Sequence, residues 1–187
     1  MSTQSRHMLF SLLVSLLCLA CGSAQGGAGG IGASGGGRDI PSAEELASHY
    51  MGQAGMALSE GDEQGALDYY LEAAKIYDDS GQVSIERAEA HFLAADLAYR
   101  LGERRQAVEE YDAAVQIYVR FKGNSKIKAA NALNNMGTIY KELERKDQAR
   151  ECWEKALQIY KEAPDEYKSN RNMAKIEQNL RDLAEGY

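Results

Sequence analysis

The side chains that most often perform chemistry in proteins are sparse in this sequence. Of its three cysteines, Cys18 and Cys21 lie near the amino terminus and only Cys152 lies further along the chain. Two of its three histidines, His49 and His91, fall in helical sequence without clustered cysteine or acidic partners, which predicts no metal site. No nucleophile-elbow, His-Glu-x-x-His or phosphate-loop spacing is present. We therefore expect no enzymatic activity, no cofactor and no small-molecule substrate.

Three other patterns have simple explanations. The segment Gly27-Ala-Gly-Gly-Ile-Gly32 matches the dinucleotide-binding pattern, but no strand precedes it and no helix follows, so the match is chance in a glycine-rich tract. Acidic pairs such as Glu44-Glu45 and Glu109-Glu110 are typical of solvated helix faces. Without a nearby activating base, Cys152 is expected to pack as a small hydrophobic residue or to lie half exposed beside Trp153.

Composition narrows the class of protein. The chain has 187 residues, only two prolines and a formal net charge of −7. Good helix formers dominate after residue 41, and no alternating β-branched run competes with them. A nucleic-acid partner is disfavoured because no basic face is available to neutralise phosphates.

A twelve-residue segment occurs three times and defines the elements of the chain. The copies begin at 66, 107 and 149, which are 41 and 42 residues apart. In each copy an alanine is followed by an aromatic residue four positions on, then by another alanine and finally by Ile-Tyr. A period of this length is typical of stacked helical hairpins, so we predict an all-α solenoid.

Helix signals place this domain at residues 42–187. Ser42 and Glu45 form a capping box directly after Pro41, which predicts a helix start there. Glycines then break the pattern between helices and between hairpins. The predicted repeats are about 42–80, 83–122 and 125–164, with helices at about 42–60, 62–79, 83–101, 103–121, 125–143 and 145–163.

In each hairpin, a small residue of the leading helix is predicted to face a large residue of the trailing helix. Small residues in the leading helix let the helices approach, and large ones in the trailing helix fill the space between them. The small residues are Ala54, Ala95 and Gly137, and the large ones are Tyr70, Tyr111 and Trp153.

The last segment departs from the repeat and is predicted to be a capping helix at about 165–185. It carries one narrow apolar stripe within polar surroundings. That stripe consists of Met173, Ile176, Leu180 and Leu183.

These motif positions together resemble the tetratricopeptide repeat. They comprise a small residue in the leading helix, Tyr140 soon after it, the alanine-aromatic-alanine pattern in the trailing helix and Pro164 beyond. The resemblance covers residues 42–163 as three units. The repeats exceed the usual length of about 34 residues, which implies helices about one turn longer, as in the branch that includes kinesin light chains and related cargo adaptors.

The resemblance implies that the leading helices line a concave groove for a peptide or protein segment. Asparagines would hold the ligand backbone, as they do in related long-helix adaptors, where Asn135 resembles such a position, while apolar side chains would contact ligand side chains. Arg100 and Lys141 would face inward alone, without a basic clamp for a terminal carboxylate. The predicted groove residues are Met51, Gly55, Leu58, Phe92, Asp96, Tyr99, Arg100, Asn131, Asn134, Asn135, Thr138 and Lys141.

The same residues have a structural explanation. Met51, Leu58 and Phe92 can pack between units, and the asparagines can cap or hydrogen-bond neighbouring helices. The convex face is also open to a partner. The sequence leaves these alternatives open.

The amino-terminal part resembles a bacterial lipoprotein precursor. Leu9–Leu19 is an apolar run of 11 residues, which suits a signal peptide at residues 1–20 and is too short for a spanning helix. The sequence Leu17-Cys-Leu-Ala20 then leads to Cys21, with Leu19 bulkier than the usual alanine or serine. The resemblance identifies Cys21 as the lipidated residue, with ordinary cleavage or an uncleaved anchor as alternatives. Residues 21–41 form a glycine-rich tether. Gly22 after the cysteine implies the outer membrane or cell surface rather than the inner membrane.

From these features we expect a membrane-anchored adaptor or scaffold of the bacterial cell envelope. Its partners would be a protein or peptide and, through the lipid, the membrane, and it could aid assembly of an envelope complex. The alternative is an accessory or regulatory subunit of an enzyme complex.

Overall fold

The computed structural model describes residues 40–185, and the predicted signal peptide, Cys21 and nearly all of the tether lie outside the described residues. The described part is all-helical, without strands, as predicted. None of its helices combines the length and apolar content needed to cross a membrane. The seven α-helices are α1 Ala43–Ser59, α2 Glu63–Ser80, α3 Ile85–Arg100, α4 Arg104–Tyr118, α5 Asn124–Glu142, α6 Lys146–Glu162 and α7 Asn170–Glu185.

The helices form three hairpins stacked in chain order. The hairpins are α1 with α2, α3 with α4, and α5 with α6. Neighbouring hairpins meet through α2 on α3 and α4 on α5, and α7 packs on α6. Because each unit contacts its neighbours rather than a shared centre, the described domain is an α-solenoid with a terminal helix, which confirms the predicted fold class.

The predicted pairing of a small and a large residue is seen directly in the third hairpin, and the small residues of the first two are buried. Ala54 and Ala95 are fully buried, and Trp153 is 1% exposed. A Cβ atom added at Gly137 would lie 2.5 Å from Trp153 Nε1, so the α5 backbone lies directly against the indole. Close packing of this kind is what fixes the approach of two helices.

The ends of the first helices follow the local signals in the sequence. The predicted capping box at α1 is present, with Glu45 N–H donating to Ser42 Oγ at 3.2 Å and Ser42 N–H donating to Glu45 Oε2 at 2.8 Å. The turns within the first two hairpins place Gly61 and Gly102 at φ 80° and 86°. In the third hairpin the same place is taken by Glu144, at φ 58°.

The last helix begins later than predicted. Pro164 stops α6, and Asp165–Tyr167 forms a single 3-10 turn, so that α7 begins at Asn170 rather than near 165. Its predicted stripe nevertheless faces the array. Ile176 and Leu183 are buried, and Met173 and Leu180 pack against the main core.

Candidate functional site

The leading helices α3 and α5 and the capping helix α7 lie side by side. Tyr99 on α3 donates a hydrogen bond to Glu142 on α5 at 2.6 Å, and Lys128 on α5 pairs with Glu89 on α3 at 2.7 Å. Further along, Asn172 on α7 donates to Asn131 on α5 at 3.3 Å. These contacts join the three helices directly. We call the side of α1, α3 and α5 on which the groove residues are predicted to lie the leading-helix face.

On the first helix, the predicted groove residues Gly55 and Leu58 are open to solvent. Met51 is half-buried and packs against two hydrophobic clusters, whereas Leu58 is 36% exposed. A Cβ atom added at Gly55 would have no neighbour within 4 Å. Exposed small residues recur on this side of α1 at helical spacing, which leaves room for another chain to approach: Ser48, Gly52, Gly55 and Ser59.

The aromatic residues of α3 serve packing as well as the surface. Phe92 is half-buried and meets Tyr111 edge to face, with ring centroids 5.5 Å apart. Tyr99 is half-buried and holds Glu142 through its hydroxyl group. Phe92 therefore packs within its own hairpin and remains half-exposed, so both explanations of its role stay open.

Arg100 has an acidic partner that the sequence did not indicate. Arg100 Nη2 lies 3.0 Å from Glu63 Oε1 at the start of α2. The two residues are brought together because α3 packs against α2, which sequence spacing does not reveal. Lys141, near the end of α5, is half-buried.

Two of the predicted asparagines make hydrogen bonds between helices. Asn135 Nδ2 donates to the hydroxyl group of Tyr111 at 2.9 Å, and that hydroxyl donates to Asp96. Asn131 Oδ1 accepts a hydrogen bond from the hydroxyl group of Tyr160. These side chains connect leading to trailing helices, and all of the named asparagines are also half-exposed.

The remaining two residues of α5 are held within the helix. Thr138 donates to the backbone carbonyl of Asn134 at 3.2 Å, and Trp153 Nε1 donates to the same carbonyl at 3.2 Å. The side-chain Oδ1 of Asn134 is buried without a hydrogen-bond partner in the described residues. The indole therefore anchors the middle of the asparagine-rich segment.

Burial and hydrogen bonding set the protonation of the face. Burial raises the pKa of the Asp96 carboxyl, against the opposing effect of the hydrogen bond from Tyr111. The hydrogen bond from Tyr99, assisted by Arg104, lowers the pKa of Glu142 despite some desolvation. These groups position one another, and none is arranged as a nucleophile with a base.

The structure also locates the remaining reactive side chain. Cys152 is buried, and burial raises the pKa of its thiol to about 11, so it packs as a hydrophobic residue. Within residues 40–185, no cluster of three or more His, Cys, Asp or Glu side chains could hold a metal ion.

The expectation that His91 lacks acidic partners is wrong. Its Nδ1 lies 2.7 Å from Glu110 Oε2, and its Nε2 lies 3.1 Å from Asp78 Oδ1. The carboxylates come from α4 and α2, so only the stacking of hairpins brings them to α3. Repeat spacing alone could have placed His91 in a joint between hairpins, but not identified its partners.

Comparisons with known proteins agree with this architecture. Residues 86–162 match the family model described as the tetratricopeptide repeat. The crystal structure of BtubC (BKLC) from P. vanneervenii is similar with a TM-score of 0.67 and 21% identity, covering 79% of this chain and 58% of that one. The N-terminal domain of stress-induced protein-1 (STI-1) from C. elegans is similar with a TM-score of 0.58 and 13% identity, covering 75% of this chain and 98% of that one. At these identities the likeness concerns the fold. The comparison with curated proteins finds no match.

Proposed function

Because this chain is a tetratricopeptide repeat protein, we propose that its leading-helix face binds a peptide or protein segment and that the chain acts as an adaptor. Stacked repeats of this kind are in general an interaction fold, whose extended surface holds other chains. The observation that carries the proposal is the half-exposure of Phe92, Asp96, Tyr99 and Asn135 on the two leading helices α3 and α5. Such residues are neither fully packed nor fully solvated.

The chemistry of the face suits an extended segment. The open side of α1 at Gly55 and Leu58 offers room and apolar surface. On α5, Asn135 uses Nδ2 on Tyr111, and its Oδ1 makes no hydrogen bond within the described residues, so it can accept one from a ligand backbone N–H. Apolar contact at one end and an amide acceptor at the other fit a peptide without requiring a charged terminus.

The test uses side chains that the fold does not need. Random-peptide display against the full chain would supply binding peptides, whose Kd calorimetry then measures. Leu58→Lys places a charge on the proposed face, and Val119→Lys makes the same change at a residue that is 42% exposed after α4, a trailing helix. We expect Leu58→Lys to weaken binding about tenfold or more, equivalent to about 1.4 kcal/mol, and Val119→Lys to leave it unchanged. Loss of binding in Val119→Lys alone would place the partner on the other face.

We also propose that the domain is tethered to the bacterial envelope through a lipid on Cys21, at the outer membrane or cell surface. The support is the apolar run that ends at Leu19, with Ala20 directly before Cys21 and Gly22 after it. Mass spectrometry of the mature amino terminus should find acyl chains on Cys21. Cys21→Ser should release the protein from the membrane fraction, and an unmodified Cys21 in the mature protein would contradict the anchor.

A further inference from the structure

A buried histidine joins the first hairpin to the second. His91 on α3 is 6% exposed. One ring nitrogen faces Glu110 on α4 and the other faces Asp78 at the end of α2. The imidazole therefore connects α3 and α4 of the second hairpin to α2 of the first.

Both contacts require a proton on the ring. An ionised carboxylate only accepts hydrogen bonds, so a histidine that bonds one carboxylate through each nitrogen must donate from both and carry a positive charge. Neutral imidazole has a single N–H and would present a lone pair to the second carboxylate. One of the two contacts at 2.7 Å and 3.1 Å would then be lost.

The two carboxylates differ in whether another cation pairs with them when His91 is neutral. Arg87 Nε lies 2.7 Å from Asp78 Oδ1, so Asp78 keeps a cation when His91 is neutral. In the described part of the chain, Glu110 forms an ion pair with His91 alone. A cavity of about 120 Å³, lined by His91, Asp78, Arg87 and Arg120 among others, gives protons access to the ring.

We propose that the joint between the first two hairpins is a pH-sensitive lock, closed while His91 carries two ring protons and loosened when it loses one. Burial alone would lower the pKa of His91, but the hydrogen bonds to Glu110 and Asp78 and their negative charges outweigh it and raise the pKa above its usual value. This inference does not depend on the proposed binding face.

The direction of the pH effect follows from linkage. The folded chain holds the His91 proton more tightly than the unfolded chain, in which the pKa is about 6.5. The stabilisation is therefore complete below pH 6.5 and declines as pH rises through the higher folded-state pKa. Each unit of difference between the two pKa values corresponds to about a tenfold change in the folding equilibrium constant.

The test combines a proton titration with unfolding of the full chain. Proton NMR of the His91 Cε1–H should give a titration midpoint above about 6.5, and Glu110→Gln should lower that midpoint because it removes a negative charge. Urea unfolding at pH 6 and pH 9 should show the wild type losing stability at the higher pH. His91→Gln should remove this part of the pH dependence, because glutamine does not titrate.

His49 supplies the matched control, since it is an exposed histidine on α1. His49→Gln should retain the wild-type pH dependence. A His91 midpoint at or below about 6.5, or a pH dependence unchanged in His91→Gln, would overturn the proposal. If His91→Gln does not fold at either pH, the midpoints of the wild type and of Glu110→Gln decide the question.

Discussion

Single residues decide how closely the two helices of each hairpin approach. In the first two hairpins a tyrosine fills the space between helices and an alanine lies in the leading helix: Tyr70 with Ala54, and Tyr111 with Ala95. In the third hairpin the filling residue is the larger Trp153, and the leading helix carries Gly137. The larger ring thus lies against a position that lacks a methyl group, which gives the indole the room it needs.

Removing the indole should be the most damaging truncation in the third hairpin. Trp153 is 1% exposed and donates a hydrogen bond to the Asn134 carbonyl at 3.2 Å. We expect Trp153→Ala to lower the free energy of unfolding by about 3–5 kcal/mol through the cavity it leaves. Urea denaturation followed by circular dichroism measures this change. A loss below about 1 kcal/mol would mean that the hairpin does not depend on this contact.

The same glycine-to-alanine change should have opposite effects in two leading helices. At Gly137 the new methyl group would collide with Trp153, and we expect a cost of about 1–3 kcal/mol from overpacking. At Gly52 the methyl group would meet nothing within 4 Å, and we expect a gain of up to about 1 kcal/mol from better helix propensity. Thermal unfolding of both variants tests the pair, and equal shifts in Tm would contradict it.

Which polar residues pair could not be predicted from the sequence. The repeat placed Asn131 and Asn135 on the leading helix, yet their partners, Tyr160 and Tyr111, lie 29 and 24 residues away. The partners of His91 could not be predicted either, because its two carboxylates lie on the helices before and after its own. Repeat spacing gives the helix and the face on which a residue lies, whereas hydrogen-bond partners depend on how one hairpin rests on the next.

At the scale of elements, the helices and turns of the three hairpins were predictable from local signals and from the repeat period, whereas the start of the last helix was not. The capping box at Ser42 and the glycine turns at Gly61 and Gly102 lie where the sequence placed them. The start of α7 was missed because Asp165–Tyr167 has helical composition but forms a 3-10 turn after Pro164. The turn of the third hairpin also lies where the repeat period placed it, between residues 143 and 145, although Glu144 adopts φ 58° without a glycine signal.

Replacing Glu144 with glycine should stabilise the third hairpin. A left-handed backbone costs a residue with a Cβ atom roughly 1–2 kcal/mol, which glycine avoids, although its freedom in the unfolded chain returns part of the gain. We expect Glu144→Gly to raise the free energy of unfolding by about 1 kcal/mol in urea denaturation. Glu144→Ala is the control, because it removes the charge and keeps the strain. An equal gain in both variants would trace the effect to charge rather than to the backbone.

At the scale of the molecule, each hairpin is stabilised by its contacts with the neighbouring hairpins. The two ends of the described array differ. The outer side of α1 leaves Leu46 and Met56 at 37% and 52% exposure, whereas α7 covers the other end with Ile176 fully buried. The repeats predicted this linear architecture from the sequence because no single hairpin can bury its own apolar side.

Linear stacking predicts that loss of packing at one end of the array destabilises only the helices near that end. A charge at Ile176 would be buried without a partner, so Ile176→Asp should detach α7 and loosen α6 beneath it. We expect hydrogen exchange of amides in α6 and α7 to accelerate about tenfold or more, while α1 and α2 keep their protection. Lys175→Asp changes the exposed neighbour and should alter neither region. In a nearest-neighbour stack, losing the contact between α6 and α7 does not directly affect the first hairpin. Equal acceleration in all seven helices would therefore show that the array unfolds as one unit.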